Sequence, residues 1–180
     1  MIKSLCIYCA SSSAIDDSYK ALAADIGAWA AGHGLEVVYG GGHVGLMGIV
    51  ADTAVANGGA VTGVIPKFLQ DREVAHSNLT TLHVTPDMQS RQKMMADLSD
   101  AFLVLPGGIG TLAELSEILT WRVLNLHEKP IIIYNINGCW DGLLTWLDGS
   151  IDAGFIKAEV RQMLHVINAL SQLSDIVLKP

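Results

Sequence analysis

The chain alternates short apolar runs with longer segments in which apolar residues recur at helical spacing. Runs such as "FLVL" and "IIIY" lack polar alternation, which is typical of strands covered on both faces. Strands are predicted at residues 2–8, 36–39, 60–65, 81–84, 101–105 and 130–135. Helices are predicted near residues 17–32, 45–57, 86–99, 111–127, 140–152 and 157–170. We therefore expect an α/β fold, a doubly wound parallel sheet with helices on both faces, in one domain spanning residues 1–180.

Composition narrows the range of partners. The chain has 180 residues, of which 51% are hydrophobic and 16% charged, so we expect some apolar surface to close against a second copy in a homodimer. The formal net charge of −7 argues against nucleic acid or an anionic membrane as a partner. A small phosphorylated ligand is compatible with that charge, because backbone N–H groups can hold phosphate on an acidic protein.

The N-terminal residues and the cysteines favour a cytoplasmic protein without a metal centre. The apolar run in "MIKSLCIYCASSS" is too short for a signal peptide, and no segment has the length of a membrane helix. Cys6 and Cys9 form a C-x-x-C inside a predicted strand, where residues three apart point to opposite faces, so buried thiols are favoured over a redox or metal site. Cys139 stands alone, and no His, Cys and Asp cluster suggests a metal.

Two glycine-rich loops follow predicted strands, at the edge where such sheets bind ligands. In "YGGGHVGLMG", Gly40, Gly42 and Gly45 have the G-x-G-x-x-G spacing of an NAD site. The next strand, "AVTGVIP", does not end in the acidic residue that would bind the ribose hydroxyls. Tight turning and close helix–strand packing explain these glycines without a cofactor.

The second loop, in "AFLVLPGGIGTLAE", is more informative. Its glycines let the backbone approach a ligand, and the helix that follows offers unpaired N–H groups and the positive end of its dipole. Thr111 adds a hydroxyl donor. This combination favours a bound phosphate, although the lysine of a P-loop is absent and an ordinary glycine-rich turn is the alternative.

The helix after this loop carries two glutamates. An apolar stripe is predicted to dock on the sheet, with Glu114, Glu117 and Trp121 on the opposite side; the stripe comprises Leu112, Leu115, Leu119, Val123 and Leu126. Glu114 lies about one turn, or ~5.4 Å, beyond the loop, which suits the sugar hydroxyls of a nucleotide whose phosphate the loop holds. A solvated pair of glutamates is the alternative, and the apolar Ile118, Trp121 and Leu124 around them argue against it.

The segment "VTPDMQSRQKMMADLSD" predicts a further helix with Thr85 as N-cap and Pro86 in its first turn. Arg91 shares a face with Met88, Met95 and Leu98 and is therefore predicted to point inward. A buried arginine needs an anionic partner, either a structural carboxylate, the phosphate of a ligand or a group near Glu114.

Two of these motifs together resemble a known family. "PGGIGTLAE" fits P-G-G-x-G-T-x-x-E, and "MQSR" fits the preceding M-x-x-R element. The chain is similar to the Lonely Guy family, the cytokinin riboside 5′-monophosphate phosphoribohydrolases, whose members also carry the label "lysine decarboxylase-like". The similarity runs from "YCASSS" through "YGGG", "GVIPKFL" and "LTW" to "LHEKPIIIYN".

The resemblance implies a Rossmann-like homodimer that hydrolyses the N-glycosidic bond of AMP or N6-substituted AMP and needs no cofactor. It makes Arg91 and Glu114 the catalytic pair. The residues that it assigns to substrate binding are Ser11, Glu73, Gln92, Gly108, Ile109, Gly110, Thr111, Glu117 and Thr120. Two departures are evident: Gln92 stands where the family usually has lysine, and "CASS" replaces "CGSS" around Ser11.

A binding protein, an oxidoreductase and a decarboxylase are the alternative classes of function. The same scaffold can hold a nucleotide or a pterin-type cofactor without turnover, as in the similar molybdenum-cofactor carriers. An NAD-dependent oxidoreductase is disfavoured by the missing ribose carboxylate. A decarboxylase would need a Schiff-base lysine and a pyridoxal phosphate site, and no lysine of the sequence stands in a recognisable setting for one.

Overall fold

Short apolar runs form the strands of one parallel sheet. The structure, a computed structural model, describes residues 1–73 and 75–178, and it describes only the backbone of residues 71–73. The strands are β1 (Ser4–Tyr8), β2 (Glu36–Tyr39), β3 (Val61–Pro66), β4 (Thr81–Thr85), β5 (Ala101–Val104), β6 (Ile131–Tyr134) and β7 (Leu164–Ile167). All pair in parallel, in the order β4-β3-β2-β1-β5-β6-β7. The predicted parallel sheet is confirmed.

Helices cover both faces of this sheet. They are α1 (Asp17–Gly32), α2 (Gly45–Ala56), α3 (Lys67–Glu73), α4 (Met88–Asp97), α5 (Ile109–Val123), α6 (Asp141–Asp152), α7 (Glu159–Gln162) and α8 (Leu170–Val177). Residues of α1, α2 and α8 pack in the core on one face. Residues of α4, α5 and α6 pack in the core on the other face, so the doubly wound arrangement is confirmed. Among the described helices, none combines the length and the apolar character needed to cross a membrane.

The strand order reverses at the centre of the sheet. From β1 the chain winds outward to β2, β3 and β4, then returns to place β5 on the other side of β1. Ligands of open α/β sheets bind at such a reversal, beyond the carboxyl ends of the two strands. The loops that follow β1 and β5 contact each other, since the backbone N–H of Ala10 donates to the carbonyl oxygen of Pro106 at 3.1 Å.

The C-terminal part differs from the prediction. One helix was predicted at 157–170, but the chain forms the short α7, then β7, then α8. Strand β7 has four residues and pairs with β6, thirty-three positions earlier at Ile131↔Leu164. Its position depends on that distant partner rather than on a local pattern. Helix α3 was also absent from the prediction, and "KFLQDRE" forms it directly after β3.

The two cysteines of the C-x-x-C lie on opposite faces of the sheet, as predicted. Cys6 is in the core beside α4 and α5, and Cys9 is in the core beside α1 and α2. Burial raises the pKa of the Cys6 thiol to about 12, and burial raises that of Cys9 further. Both thiols therefore stay protonated and are poor nucleophiles and metal ligands at neutral pH.

Candidate active site

A cavity of about 270 Å³ opens at the carboxyl ends of β1 and β5. Three elements form most of its wall: the loop after β1, the N-terminal part of α5 with its N-cap, and one face of α4. It is lined by Cys9, Ala10, Ser11, Ser12, Met47, Leu69, Met88, Arg91, Gly108, Ile109, Gly110, Thr111 and Glu114. Seven of the eleven residues that the resemblance assigns to the site therefore lie together here.

The first turn of α5 forms one side of this cavity. Gly108 is the N-cap of the helix, and the first intrahelical bond runs from the amide of Leu112 to the carbonyl oxygen of Gly108 at 3.0 Å. The amides of Ile109, Gly110 and Thr111 precede that bond, so the helix itself provides no acceptors for them. Together with the helix dipole they create a binding place for a negative group.

Gly107 fixes the position of the Thr111 side chain. A Cβ at Gly107 would overlap Oγ1, Cβ and Cγ2 of Thr111, so only glycine lets the threonine fold beneath the loop. Thr111 is consequently buried, 3% exposed, at the end of the cavity. Gly107 is the first glycine of the "PGG" motif, but the motif alone does not show that its missing side chain makes room for Thr111.

Arg91 and Glu114 form a buried ion pair at the floor of the cavity. Nη1 of Arg91 donates to Oε1 of Glu114 at 2.9 Å, and Nε donates to the backbone carbonyl oxygen of Val64 at 3.0 Å. The residues are 7% and 8% exposed. Burying both charges is costly unless they are paired with good geometry, and these hydrogen bonds provide it. The inward arginine is confirmed, and its partner is the carboxylate of the second motif.

Glu114 lies on the inward face of α5, which contradicts the predicted orientation of the helix. The buried residues of α5 are Thr111, Glu114, Leu115 and Ile118. Of the predicted apolar stripe, Leu115 is buried, whereas Val123 and Leu126 are 41% and 68% exposed. The helix has apolar residues on several sides, and the pairing of Glu114 with Arg91 is one of the contacts that set its rotation.

The groups around this pair are neutral. Burial, and then the negative charge of Glu114, raises the pKa of Cys9, while Tyr8 has its pKa raised by burial, by Cys6 and by Glu114. These side chains therefore remain uncharged behind the cavity. Among the described residues that line it, Arg91 and Glu114 carry the only full charges.

Helix α4 begins later than predicted. Its N-cap is Asp87, whose carboxylate accepts a 2.7 Å bond from the backbone N–H of Ser90, whereas Thr85 was predicted as the cap. Met88 and Arg91 both line the cavity. The M-x-x-R spacing allows this, because residues three positions apart lie on the same face of a helix. Leu98 was predicted on the buried face but follows the helix and is 40% exposed.

Three residues assigned by the resemblance lie outside the cavity wall, and the side chain of a fourth is not described. Gln92 follows Arg91 on α4 and is half-buried. Thr120 is exposed and donates to the carbonyl oxygen of Ser116 at 2.7 Å, about 13.5 Å along α5 from Thr111. Glu117 is half-buried on the same helix. Glu73 ends α3, and its side chain lies outside the described residues.

Glu117 has an unusual environment. Its Oε2 atom is buried and has no hydrogen-bond partner among the described residues, and burial raises the pKa of the carboxyl group above its ordinary value. A carboxyl whose pKa is raised in the folded state favours folding of the protonated form. Ionisation of Glu117 therefore lowers stability as the pH rises above the pKa of the unfolded chain.

Replacing Glu117 by glutamine is expected to stabilise the protein at neutral pH. The thermal midpoint should rise by roughly 2 °C or less at pH 7, with the gain absent near pH 4, where the carboxyl is protonated in both states. Thermal unfolding of the two proteins between pH 4 and pH 8 measures this. A gain that is the same at every pH would contradict the stated cause.

The structure brings together one polar cluster that the sequence did not predict. Atoms of His43, Asp52 and His76 that could hold a metal lie within 4.8 Å of one another. Nε2 of His76 is 2.8 Å from Oδ1 of Asp52, and the backbone N–H of Asn78 donates to Nδ1 of His76 at 3.2 Å. Since Nδ1 accepts that bond, the proton of the neutral ring is on Nε2 and points to Asp52. The bond between His76 and Asp52 therefore links α2 to the segment after α3, and Nε2 of His76 has no lone pair to offer a metal.

A second cavity adjoins the first. It has a volume of about 360 Å³ and shares Ala10, Ser12 and Gly108 with the first cavity. Ile15, Tyr19, Leu46 and Trp140 give it an apolar lining. These residues belong to no motif, because they come from three separate segments that only the fold brings together.

Comparison with known proteins identifies relatives over most of the chain. The family model described as "Possible lysine decarboxylase" matches residues 47–177. A cytokinin riboside 5′-monophosphate phosphoribohydrolase of Mycobacterium tuberculosis is 45% identical over 162 residues, which cover 90% of this chain and 86% of the relative. The corresponding enzyme LOG1 of Arabidopsis thaliana is 40% identical over 178 residues, covering 98% of this chain and 82% of the relative.

Solved structures with low sequence identity share the fold. The molybdenum cofactor carrier protein of Chlamydomonas reinhardtii superposes with a TM-score of 0.73 at 20% identity, over 99% of this chain and 100% of that one. The molybdenum cofactor binding protein of Rippkaea orientalis gives 0.73 at 17% identity, over 99% and 96% of the two chains. The architecture is therefore common to proteins of different function, whereas the relatives above match in sequence as well. On that sequence similarity, the chain belongs to the family of the cytokinin riboside 5′-monophosphate phosphoribohydrolases.

Proposed function

We propose that this protein hydrolyses the N-glycosidic bond of nucleoside 5′-monophosphates, AMP or N6-substituted AMP, to give the free base and ribose 5-phosphate. The observation that carries the proposal is the buried Arg91–Glu114 pair in the same cavity as the first turn of α5. The relatives in Arabidopsis thaliana and Mycobacterium tuberculosis are named for this reaction on cytokinin nucleotides.

In this proposal the phosphate binds at the amides of Ile109, Gly110 and Thr111. The hydroxyl of Thr111 donates a further hydrogen bond. One turn of helix separates Thr111 from Glu114, about 5 Å along the axis, which is close to the distance between the phosphate of a nucleotide and its ribose hydroxyls. The ribose then lies over the carboxylate of Glu114.

Cleavage of a glycosidic bond passes through a transition state with positive charge at the anomeric carbon. A fixed carboxylate below the sugar stabilises that charge, and the buried setting of Glu114 strengthens the effect. A water molecule bonds through its oxygen to the anomeric carbon as the carbon–nitrogen bond breaks. One proton of that water is transferred to the leaving base. Arg91 holds the Glu114 carboxylate in place and presents positive charge toward the phosphate or the departing base.

The proposal includes substrate-binding roles for Glu73, Gln92, Glu117 and Thr120. It also includes a second copy of the chain. Thr120 lines an apolar groove between α5 and the α6–α7 region, together with Leu124, Trp146 and Phe155. The last three are 62%, 61% and 86% exposed. Large apolar side chains exposed in one groove favour burial against a partner, so a homodimer is proposed through this face. Light scattering of the purified protein gives the mass that tests it.

A non-catalytic binding protein of the same fold is the competing class, and the molybdenum cofactor carriers represent it at the level of fold alone. A lysine decarboxylase activity lacks a supporting residue, since none of the described residues that line the cavity is a lysine able to form a Schiff base.

Product analysis separates these classes. The protein is incubated with AMP, N6-isopentenyl-AMP and the monophosphates of the other bases, and released bases and ribose 5-phosphate are quantified by chromatography. Equimolar base and sugar phosphate from at least one nucleotide is the expected result. Tight binding of a nucleotide by calorimetry, with no base released from any of them, would instead establish a binding protein.

A further inference from the structure

The first glycine loop, Gly40 to Gly45, connects β2 to α2, and the proposed reaction assigns no role to its residues. Its glycines contact protein groups on both sides of the cavity. A Cβ at Gly45 would come within 2.5 to 2.7 Å of the backbone of Ala10, Ser11 and Ser12. A Cβ at Gly40 would overlap Nη2 of Arg91 and would lie 3.1 Å from Sδ of Met47.

The Arg91 guanidinium has little freedom to avoid such an overlap. Its Nε is bonded to Val64 on β3 and its Nη1 to Glu114 on α5. The group is planar, so these two bonds determine where Nη2 lies, which is against Gly40. Moving Nη2 away from β2 requires that at least one of the two bonds be lengthened or broken.

We propose that Gly40 is a positioning residue for Arg91: the missing side chain at the end of β2 is what allows the guanidinium to reach the Glu114 carboxylate. The kinetic part of this inference rests on the proposed hydrolase activity, whereas the steric part rests on the ion pair alone. The backbone of Gly40 is outside the left-handed region that restricts Gly41, whose φ is +77°. Alanine at position 40 therefore acts through its Cβ rather than through backbone strain.

Gly40→Ala is the test variant, and Gly32→Ala is the matched control, because a Cβ at Gly32 meets no atom within 4 Å. We expect Gly40→Ala to lower kcat for the best nucleotide at least tenfold and to lower the thermal midpoint, while Gly32→Ala retains the wild-type kcat. Each substitution is also made in an Arg91→Lys background, where no Nη2 atom is present. There Gly40→Ala should change neither kcat nor the midpoint relative to Arg91→Lys alone, since its effect passes through the guanidinium.

The thermal midpoints test the steric part independently of catalysis. If the wild-type protein released no base from any nucleotide, the proposed function would fail, and the four midpoints would still decide the role of Gly40. An equal loss of stability in both backgrounds would overturn the inference. Should Gly40→Ala not fold alone, folding of the Gly40→Ala/Arg91→Lys protein would support it, and failure of both to fold would overturn it.

Discussion

Replacing Glu114 by glutamine is expected to lower kcat for nucleoside monophosphate hydrolysis by about a thousandfold with little change in fold. Glutamine has nearly the same shape, and its amide oxygen can still accept the 2.9 Å hydrogen bond from Nη1 of Arg91. What is lost is the negative charge below the sugar, which the transition state needs and the ground state does not. An interaction made only in the transition state lowers kcat and kcat/KM together when it is removed.

Steady-state kinetics with the best nucleotide of the product panel measure this effect. Glu128→Gln is the control, because Glu128 is exposed in the segment after α5 and should retain wild-type kinetics. Circular dichroism and thermal unfolding show whether the Glu114→Gln protein is folded. A folded variant with wild-type kcat would show that Glu114 has no catalytic role.

Arg91→Ala is expected to be equally inactive but clearly less stable than Glu114→Gln. Removal of one partner from a buried ion pair leaves the other charge without compensation, at a cost of about 3 kcal/mol or more. Glu114→Gln also leaves the buried Arg91 charge without its counter-charge, but it keeps the shape of the side chain and the hydrogen bond from Nη1 of Arg91, so its loss of stability should be smaller. The contrast in thermal midpoint between the two variants therefore separates the structural from the catalytic contribution of the pair.

Removing the phosphate from the substrate is expected to reduce kcat/KM by about a thousandfold or more. The phosphate is remote from the bond that breaks, but its binding at the start of α5 positions the sugar over Glu114, and such remote binding energy is used in the transition state. The comparison is between AMP and adenosine, or between the 5′-monophosphate and the nucleoside of the preferred base.

Thr111→Val links this dependence to the glycine loop. Valine keeps the volume of the buried threonine and removes the hydroxyl, and a hydrogen bond to a charged group contributes about 1.5–3 kcal/mol. We expect kcat/KM for the nucleotide to fall roughly 10- to 100-fold, with the value for the nucleoside unchanged. Thr145→Val, on the exposed side of α6, serves as the control. If the wild-type protein hydrolysed the nucleotide and the nucleoside equally well, binding of the phosphate at the first turn of α5 would be contradicted.

The local sequence was sufficient to predict the strands that lie at the centre of the sheet. The continuous apolar runs at β1, β5 and β6 are buried on both faces, so no competing arrangement can satisfy them. The inward position of Arg91 was likewise readable, because it repeats at helical spacing with Met88 and Met95.

Local sequence was insufficient where apolar residues were not confined to one side. The apolar stripe predicted for the helix after the second glycine loop included Leu115, which is buried, but also Val123 and Leu126, which are exposed, while Glu114 was assigned to the outer side and is buried. The free energy gained by pairing two opposite charges from α4 and α5 depends on how these helices meet. That information is absent from the periodicity of either helix. Strand β7 was missed for a similar reason, since its hydrogen-bond partner is β6.

By itself, the amino-acid sequence determined the class of fold, predicted a phosphate at the glycine-rich start of α5 and indicated that Arg91 points inward. These follow from short-range properties, namely hydrophobic period, glycine spacing and the cost of burying an arginine. The catalytic roles of Arg91 and Glu114 are what the resemblance to the family implies. Only the tertiary structure decided that Arg91 pairs with Glu114 and that Nη2 of its guanidinium lies against Gly40. Both results depend on the relative placement of β2, β3, α4 and α5, which is set by packing between segments far apart in the chain.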